Sequence, residues 1–408
     1  MEFRLSEKEQ AFYEEVEEFL KKELPSDWAA YNRAWPGGYA SGEIPGAGIR
    51  EAFVHYRQKL MEKGWLTIAW PKEYGGREYT YMEKAIFDER TSYYRAPNVD
   101  VIAVGMVGPT ILEIGTEEQK QEWLPRIASG EVSMWLGYSE PNAGSDLAGI
   151  QTTAVEEGDE YIINGQKVWS SGAHVSDYAW LIARTDPTAT RHKGVSFFIV
   201  DSKSPGITVR PLINIFGTHH FNEVFFDNVR VPKKNLIGQK NMGFYYLMTA
   251  LDFERVILVG IGGFKRIFEE LVEHVKRTER QGKPLKNYQS VRLKLARIAT
   301  EIEIGYMLFW RTAEMLDKGL SPTVESSALK LTSTELSRKL AEVAMDVFGV
   351  AMDVFGPYSL IEEETEFTPF RGMAPRGYID CISATIGAGT SEIQRNIIAL
   401  RGLGLPRG

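Results

Sequence analysis

Apolar residues recur at helical spacing in the first third of the chain. Ser6 followed by Glu9 forms a capping-box pattern, and Thr116 followed by Gln119 repeats it further along. Behind the first cap, four apolar positions share one helix face: Phe12, Val16, Phe19 and Leu20. The pattern predicts a helical N-terminal domain over residues 1–132, interrupted at 34–48 by a segment too rich in Gly and Pro for regular structure.

The pattern changes near Ser133. From there to Gly238 the chain shows short alternating or continuously apolar runs: TTAVEEGDEYIINGQKVWSS, YAWLIARTD, VSFFIVD, ITVRPL and NEVFFDNVRVP. Asn164-Gly165 has the composition of a hairpin turn. These short strands predict a compact β domain, a small barrel or sandwich, over residues 133–238.

Helical periodicity returns from Asn241 onward. One helix is predicted through residues 251–271, LDFERVILVGIGGFKRIFEEL, and the Gly-rich run at 387–390 opens another, with Thr390 or Ser391 as its cap. A C-terminal helical bundle domain is therefore predicted over residues 239–408. The predicted fold class is mainly α with a central β domain.

Composition narrows the classes of function. The chain has 408 residues and a net charge of -8, which argues against a nucleic-acid binder. Cys381 is the single cysteine, so an intrachain disulfide and a cysteine-rich metal site are excluded. The doublet His219-His220 is interpreted as a loop feature rather than a metal site. No apolar run approaches the ~20 residues of a membrane span. The polar start MEFRLSEKEQ differs from a leader peptide, so a cytoplasmic enzyme is the default expectation.

Four segments carry residues suited to chemistry, and each also has a purely structural interpretation. The loop YSEPNAGSD (138–146) offers backbone N–H groups and hydroxyls to a polar ring or a pyrophosphate, or is an ordinary turn. KVWSSGAH (167–174) offers a Trp and two Ser to a flat ligand, or its Trp belongs to the core. Glu254 has apolar neighbours, which suits a general base, or it is a solvated helix charge. The run at 387–390 binds an anion at a helix N-terminus, or simply caps the helix.

Taken together and in this order, six segments resemble the acyl-CoA dehydrogenase family over nearly the whole chain: GWLTIAWPKEYGG (64–76), YSEPNAGSD, INGQKVWSSGA (163–173), VFFDNVRVPKKNLIG (224–238), LDFER and IGAGTSEIQR (386–395). The resemblance implies an N-terminal α domain, a small β-barrel and a C-terminal four-helix domain. It implies an FAD enzyme of β-oxidation type that oxidises an acyl-CoA to trans-2-enoyl-CoA and passes electrons to electron-transferring flavoprotein. It also implies a homotetramer whose FAD sites are completed across subunits.

The resemblance assigns residues to the flavin and the CoA ester. Tyr138 and Ser139 are expected at the pyrimidine edge of the flavin, Trp169 against its ring, and Ser171 near N5. Ser145 is expected to contact the CoA ester.

At the phosphate end, the resemblance places Arg280 on the FAD pyrophosphate across a subunit interface, with Gln289 nearby. Gly349, Thr390 and Glu392 are expected to serve the adenine and phosphate groups.

The catalytic base is where the chain departs from most of the family. Many members carry it just before the Gly-Thr of the C-terminal loop, where this chain has Ala388. A minority branch, including isovaleryl-CoA and long-chain dehydrogenases, supplies it from a helix at the position of Glu254, which is therefore the predicted base. Asp252 and Arg255 match positions at the adenosine part of CoA. Gly389 is expected on the substrate side, in a run of small residues that frees volume for a branched or cyclic acyl group.

Two further departures concern the FAD phosphate end. The loop after Arg280 is one residue short, and Asp346 stands where the family has Gln, so it is expected to turn away or to contact a ribose hydroxyl. Segment 361–381 is long and acidic, and a solvated insertion is favoured over a partner-binding one. Segment 34–48 is likewise interpreted as a solvated loop rather than a flap over the acyl pocket. Two alternatives stay open: an acyl-CoA oxidase that uses oxygen, and a non-catalytic structural subunit of a hetero-oligomer.

Overall fold

The structure is a computed structural model, and it describes residues 4–25, 28, 35–36, 47–97, 99–248, 260–349 and 372–406. The chain divides into two compact units. A helical unit takes residues 1–56, 79–97 and 255–408, and a sheet unit takes residues 57–78 and 98–254. Helical segments from both ends of the chain thus share one unit. Within the described ranges, no helix is long and apolar enough to cross a membrane.

Along the described part of the chain, helices come first, strands follow, and helices return after them. In chain order the helices are α1 (Glu7–Glu23), α2 (Ala47–Lys63), α3 (Tyr81–Tyr93), α4 (Gly108–Ile114), α5 (Glu117–Ala128), α6 (Ile261–Arg277), α7 (Gln289–Asp317), α8 (Thr323–Phe348), α9 (Met373–Ala384) and α10 (Ser391–Ile397). The strands are β1 (Met134–Gly137), β2 (Thr153–Glu157), β3 (Glu160–Lys167), β4 (Tyr178–Arg184), β5 (Val195–Asp201), β6 (Ile207–Ile213), β7 (His219–Pro232), β8 (Leu236–Ile237), β9 (Glu279–Arg280) and β10 (Lys283–Pro284). Short π-helical segments, Ala103–Val107 and Ile398–Gly402, adjoin α4 and α10.

Helices α1 and α5 begin at the capping boxes that the sequence predicts. Ser6 Oγ accepts from the backbone N–H of Glu9 at 3.3 Å, and the Glu9 carboxylate accepts from the backbone N–H of Ser6 at 2.6 Å. Thr116 and Gln119 make the same reciprocal pair at α5. Each pair satisfies two N–H groups near a helix N-terminus, including one that the first turn leaves without an intrahelical partner. Both capping-box predictions are confirmed.

Helix α6 begins later than predicted. The continuous helix through residues 251–271 is wrong at Gly260, whose φ of 55° cannot continue a right-handed helix. The backbone N–H of Gly263, in the first turn of α6, donates to Ser92 Oγ of α3 at 2.9 Å. A Cβ on Gly262 would lie 2.1 Å from the carbonyl oxygen of Glu89, so only glycine permits this approach of α3 to α6. The start of α6 is therefore set by a contact with another helix.

The helical unit has a continuous apolar core between α6, α7, α8 and α9. Its buried members include Phe264, Leu271, Phe309, Leu336, Leu340 and the free thiol Cys381. Burying one Leu or Phe side chain contributes about 1.5–3 kcal/mol. These helices are therefore stabilised mainly by packing rather than by intrinsic helix propensity.

The sheet unit contains an eight-stranded sheet in the order β6-β7-β3-β2-β4-β5-β8, with β1 added parallel to β4. Strands β4 and β5 are buried on both faces. On one face, Trp180 and Phe197 belong to an apolar cluster that includes Trp123 of α5. On the other face, Leu181 and Phe198 belong to a second cluster. The central strands β4 and β5 are thus buried, and β1 and β2 pair with β4.

The predicted hairpin turn at Asn164-Gly165 is wrong. Both residues lie inside β3, and the β2–β3 hairpin turns at residues 157–160. The β3–β7 register shifts beside Gly165, and a Cβ there would lie 2.4 Å from Thr152 Oγ1. Asn164 Oδ1 accepts from the backbone N–H of Asn228 at 2.8 Å. The pair Asn-Gly is compatible with a bulge as well as with a turn. A bulge forms here because β3 pairs with β7 on both sides of it.

The interpretation of His219-His220 as a loop is also wrong, because both residues begin β7. Leu212 of β6 pairs with Phe221, and Ile213 pairs with His219, so His220 is the extra residue of a β-bulge. Among the residues that the structure describes, no cluster of three or more His, Cys, Asp or Glu side chains could hold a metal ion.

Candidate functional site

The sheet unit brings four of the predicted flavin-facing residues to adjoining strand ends. Tyr138 and Ser139 follow β1, and Trp169 and Ser171 follow β3. The backbone N–H of Val168 donates to the carbonyl oxygen of Ser139 at 2.9 Å and joins the two segments. Residues that are far apart in the sequence therefore meet at one edge of the sheet.

A buried ion pair lies against these segments. Lys167 Nζ donates to Glu140 Oε1 at 2.8 Å and to the carbonyl oxygen of Tyr138 at 3.0 Å. The Glu140 carboxylate also accepts from the backbone N–H groups of Gln151 at 2.6 Å and Thr152 at 2.9 Å. Burial lowers the pKa of Lys167 to about 8, against the opposing effect of Glu140. Burial raises the pKa of Glu140, but Lys167 and the hydrogen bonds outweigh it and hold that pKa below its usual range. Both groups are therefore charged at pH 7.

The indole of Trp169 is presented outward from an unusual backbone conformation. Its φ of 59° lies in the left-handed region, which bulky residues rarely adopt, and the residue is 62% exposed. One edge meets Phe221, with ring centroids 6.0 Å apart and planes at 87°. The hydroxyl of Ser171, which is half-buried, makes no hydrogen bond within the described part of the chain. An exposed aromatic face with a hydroxyl close by in the chain can hold and orient a planar heteroaromatic group. Ser145, the predicted CoA contact, is exposed.

In the helical unit, the predicted Gly-rich loop lies at the start of α10. Thr390 is the cap, since its Oγ1 accepts from the backbone N–H of Ile393 at 3.2 Å. Ala388 and Gly389 precede it with left-handed φ values of 53° and 81°. Glu392 is exposed on the first turn. The loop therefore turns sharply and leads directly into α10.

Two buried side chains hold this loop. Lys330 Nζ donates to the carbonyl oxygens of Ala384 at 2.9 Å and Gly389 at 2.8 Å. Gln394 Nε2 donates to the carbonyl oxygens of Ala388 at 3.2 Å and Gly389 at 3.1 Å. Hydrogen bonds from a charged donor are roughly twice as strong as neutral ones. Lys330 is therefore the stronger of the two anchors.

Arg280 and Gly349 lie together at the C-terminal end of α8. Arg280 Nη2 donates to a carbonyl oxygen of the last turn of that helix at 2.6 Å, and a Cβ on Gly349 would lie 3.3 Å from the same Nη2 atom. Gln289 is exposed at the first position of α7. The carboxylate of Asp346 pairs with Lys294, which offsets its negative charge near Arg280. The positive charge of Arg280 is therefore not cancelled by Asp346.

Several predicted residues fall where the structure gives no description. Asp252, Glu254 and Arg255 lie outside the described residues, as do 37–46 of the Gly/Pro-rich segment and 361–371 of the acidic one. Residues 373–381 of the latter form most of α9, and Met373, Ala374 and Cys381 are buried in the core of the helical unit, so the interpretation as a solvated insertion is wrong for them. The roles assigned to the residues outside the description stay predictions.

Sequence reasoning missed the side chains that support the site. Lys167, Asn222 and Lys330 are 0%, 0% and 3% exposed. Lys167 follows Tyr161 and Ile163 at alternate positions of β3, where the strand pattern calls for an apolar residue. A polar residue on the buried face of an element is the signal that would have found it, because burial without a partner is costly.

Comparison with known proteins identifies the class. Residues 6–131, 136–229 and 241–403 match the N-terminal, middle and C-terminal domains of acyl-CoA dehydrogenases. The chain belongs to the acyl-CoA dehydrogenase family, a family of oxidoreductases. The predicted fold and family are thereby confirmed.

The individual relatives correspond to nearly the full length of the chain or to all of it. It is 35% identical to the acyl-CoA dehydrogenase FadE26 of Mycobacterium tuberculosis (strain ATCC 25618 / H37Rv), over 97% of this chain and 98% of that one. Among solved structures, the Tcur3481-Tcur3483 steroid ACAD has a TM-score of 0.85 at 30% identity, covering 100% of both chains. The ChsE4-ChsE5 complex from Mycobacterium tuberculosis has a TM-score of 0.84 at 32% identity, again covering 100% of both chains.

Proposed function

We propose that the protein catalyses the FAD-dependent dehydrogenation of an acyl-CoA thioester to the trans-2-enoyl-CoA. The observation that carries this proposal is the exposed Trp169 indole, followed two residues later by the Ser171 hydroxyl, in a chain of the acyl-CoA dehydrogenase family. When bound, FAD supplies the acceptor for the hydride that leaves the β-carbon of the thioester.

The residues present fit a bound FAD. A flat ring system needs an aromatic wall and polar groups at its edge. Trp169 offers the wall, and the hydroxyls of Ser139 and Ser171 make no hydrogen bond within the described ranges. Tyr138 follows the same strand end as Ser139. Arg280 offers a cation to the pyrophosphate.

The remaining cofactor and CoA contacts are proposed from the family resemblance. Gln289 and Gly349 accompany Arg280 at the pyrophosphate, and Thr390 and Glu392 serve the adenine end at the start of α10. On the substrate side, the proposed contacts with the acyl-CoA are Ser145, Asp252, Arg255 and Gly389.

Glu254 is the proposed base that removes the α-proton of the thioester. Ala388 stands where most of the family carries the base, and an alanine side chain cannot accept a proton. A single carboxylate at the reacting carbons also avoids the repulsion that would split the pKa values of two. The protein must polarise the thioester carbonyl and exclude water, since the α-proton is otherwise too weakly acidic.

The acyl group is proposed to be bulky, branched or polycyclic. The loop beside the proposed reacting carbons carries only Gly387, Ala388 and Gly389 before Thr390, which leaves volume that larger side chains would fill. The steroid ACAD neighbour supports a polycyclic acyl group, because the two chains correspond over their full lengths.

The proposed electron acceptor is electron-transferring flavoprotein, and the proposed assembly is a homotetramer with FAD sites completed across subunits. The ChsE4-ChsE5 neighbour is a complex of two named components, which supports a hetero-oligomer as the alternative assembly. Light scattering of the protein purified alone distinguishes the two.

The test of the proposed function is Glu254→Gln. The variant is expected to keep its flavin absorbance band and its affinity for an acyl-CoA, while turnover with an artificial electron acceptor falls by a factor of about 10²–10⁴, the usual contribution of a general base. Glu273→Gln, an exposed carboxylate on α6 paired with Lys276, is the matched control and is expected to retain wild-type turnover.

Each contrary result has a separate meaning. Near-normal turnover of Glu254→Gln would remove the base assignment. Wild-type protein without a flavin band would support the non-catalytic subunit, and rapid reoxidation of the reduced protein by air would support the oxidase. A panel of straight, branched, cyclic, aromatic and steroidal CoA esters tests the acyl group.

A further inference from the structure

A buried asparagine joins three neighbouring groups behind the Trp169 turn. Asn222 of β7 is fully buried. Its Nδ2 donates to the carbonyl oxygen of Ser170 at 2.9 Å and lies 3.1 Å from His174 Nδ1, while its Oδ1 lies 2.7 Å from His219 Nε2. The two imidazoles stack with centroids 3.8 Å apart and planes at 18°.

The β-bulge at His220 makes this arrangement possible. In a regular strand, side chains three positions apart point to opposite faces, so His219 and Asn222 would not meet. An extra residue in one strand re-aims the side chains beside it. The bulge at His220 brings His219 and Asn222 onto one face, where they are in hydrogen-bond contact.

One arrangement of protons satisfies this network. The carbonyl oxygen of Ser170 only accepts, so the Asn222 amide must turn its nitrogen toward it. The Oδ1 atom then faces His219, whose Nε2 must carry a hydrogen. The second amide hydrogen points to Nδ1 of His174, which must be unprotonated to accept it. His174 therefore contributes as a neutral ring protonated at Nε2.

The same stretch of β7 closes the turn at residues 169–172. The backbone N–H of Ser170 donates to the carbonyl oxygen of Asn222 at 3.1 Å, and that of Gly172 donates to the carbonyl oxygen of His220 at 3.0 Å. A left-handed conformation at a bulky residue costs of order 1–3 kcal/mol and persists only where its surroundings determine it. Trp169 adopts this conformation immediately before the residue that Asn222 holds.

We propose that Asn222 is the positioning residue for the turn that carries Trp169 and Ser171, and that it holds this turn only while His174 is neutral. The inference rests on the proposed function, because it assigns to this network the placement of the groups that face the flavin. Asn222 acts through Ser170 and the two imidazoles and is itself fully buried.

The surroundings favour the neutral ring. Burial, and then the charge that His219 can carry, lower the pKa of His174 below its ordinary value. The nearby carboxylates have their own partners: Glu223 of β7 accepts from Gln166 Nε2 at 3.2 Å, and Asp177, which precedes β4, accepts from Ser133 Oγ at 2.7 Å. His219 and His220 are the other titratable groups on β7 beside the network.

The direction of the pH effect follows from this lowered pKa. A group whose pKa is depressed by folding contributes stability that is fully present above its unfolded pKa, about 6.5 for histidine. The contribution is lost as the pH falls through the lower folded pKa. The turn is therefore held at pH 8 and loosened by acid as the pH falls through the lowered pKa of His174.

The first experiment measures FAD affinity of the apoprotein at pH 8 and pH 5.5. Wild-type protein is expected to bind FAD more weakly at pH 5.5. Asn222→Ala is expected to weaken binding at pH 8 about tenfold, as the loss of buried hydrogen bonds implies, with little further loss in acid. Asn235→Ala is the matched control, since Asn235 makes the same amide-to-carbonyl bond to Ile199, at 2.8 Å, elsewhere in the sheet unit.

The second experiment removes the titration and keeps the hydrogen bond. In His174→Asn, Oδ1 takes the place of the imidazole Nδ1 and accepts from Asn222 at every pH. Its FAD affinity is expected to match wild type at pH 8 and to lose the acid dependence. His192→Asn, an exposed histidine of the same unit that contacts Phe244, is expected to keep the wild-type pH profile.

Imidazole NMR of the apoprotein separates this inference from the proposed function. His174 is expected as the Nε2-protonated tautomer, and Asn222→Asp is expected to raise its pKa, because a carboxylate favours the imidazolium. An Nδ1-protonated His174, an acid dependence that survives in His174→Asn, or an FAD affinity of Asn222→Ala within twofold of wild type would overturn the proposal. Failure of wild-type protein to bind FAD at either pH would instead contradict the proposed function, while the tautomer still tests the network.

Discussion

Two segments, one in each unit, hold a strained backbone in place with different chemistry. The turn at 169–172 in the sheet unit and the loop at 387–390 in the helical unit both contain left-handed residues. In each, a buried side chain donates to a backbone carbonyl oxygen: Asn222 to Ser170 in the turn, and Lys330 to Gly389 in the loop. The first donor is a neutral amide and the second is an ammonium group.

The type of donor determines which neighbouring groups each segment depends on. Three ammonium hydrogens point wherever acceptors lie, so Lys330 needs no neighbour to orient it. An amide has one donor end and one acceptor end, so Asn222 depends on the proton positions of His174 and His219. The turn is therefore specified by a network that depends on the proton positions of two imidazoles, whereas the donor that holds the loop needs no such neighbours.

The largest expected effect comes from the ion pair against the turn. Lys167→Met leaves Glu140 buried without its cation, which costs about 3–5 kcal/mol in the free energy of unfolding. In the wild-type protein Lys167 helps to hold the pKa of Glu140 low. In the variant, burial without the cation raises that pKa, so the carboxyl takes up a proton and the cost of Lys167→Met is expected to shrink from pH 7 to pH 4.5 in urea denaturation.

The matched control for that variant is Lys234→Met. Lys234 pairs with Glu122 at 2.8 Å on the surface of the same unit, with a side chain that is 65% exposed. Such pairs contribute about 0–1 kcal/mol. Equal losses for the two variants would mean that the buried pair has no special role beside the turn.

A smaller loss is expected from the loop anchor. Lys330→Met removes charge-assisted bonds to Ala384 and Gly389 and is expected to cost about 2–3 kcal/mol. The loss is measured in guanidinium denaturation. Lys318→Met, whose side chain is 60% exposed and pairs with Glu314, is the control. A loss no larger than that of Lys318→Met would contradict the role of Lys330 as an anchor of the loop.

The smallest effects compare the glycines of the two segments. Gly172 and Gly389 have φ values of 70° and 81°, but a Cβ would lie 3.5 Å from Ser176 Oγ in the first case and 2.6 Å from Gln394 Nε2 in the second. Gly172→Ala is expected to cost about 1 kcal/mol and Gly389→Ala about 2 kcal/mol, measured as shifts of the denaturation midpoint. Gly319→Ala, at a φ of 68° with no neighbour within 4 Å, gives the cost of the backbone conformation alone. A larger loss at Gly172 than at Gly389 would reverse the proposed order.

The parts of the fold that could be predicted are those with local causes. The caps at Ser6, Thr116 and Thr390 each satisfy N–H groups within three residues, so the sequence contains both partners. The change from helical to alternating spacing near residue 133 likewise reports burial on one face. The site residues after β1 and β3 were found through family motifs rather than through any local rule.

The errors have a common physical origin. The sequence predicts a turn at Asn164-Gly165 and a loop at His219-His220, but both pairs lie in strands at irregular register positions. Gly260 cannot belong to the continuous helix that the apolar pattern predicts, and α6 begins after it, where it meets α3. In each case a contact with a neighbouring element determines the local structure. The spacing of residues along the sequence does not indicate which element that neighbour is.

By itself, the sequence determined the order of helices, strands and helices, the capped helix ends, and a set of motifs specific enough to indicate the family. The elements and their caps depend on interactions between residues close in the sequence, and the motifs are defined by the residue types themselves. Only the tertiary structure showed that Lys167 and Glu140 form a buried pair and that a bulge turns His219 toward Asn222. Burial and proton positions decide what such side chains can do, and both are set by strands that are distant in sequence.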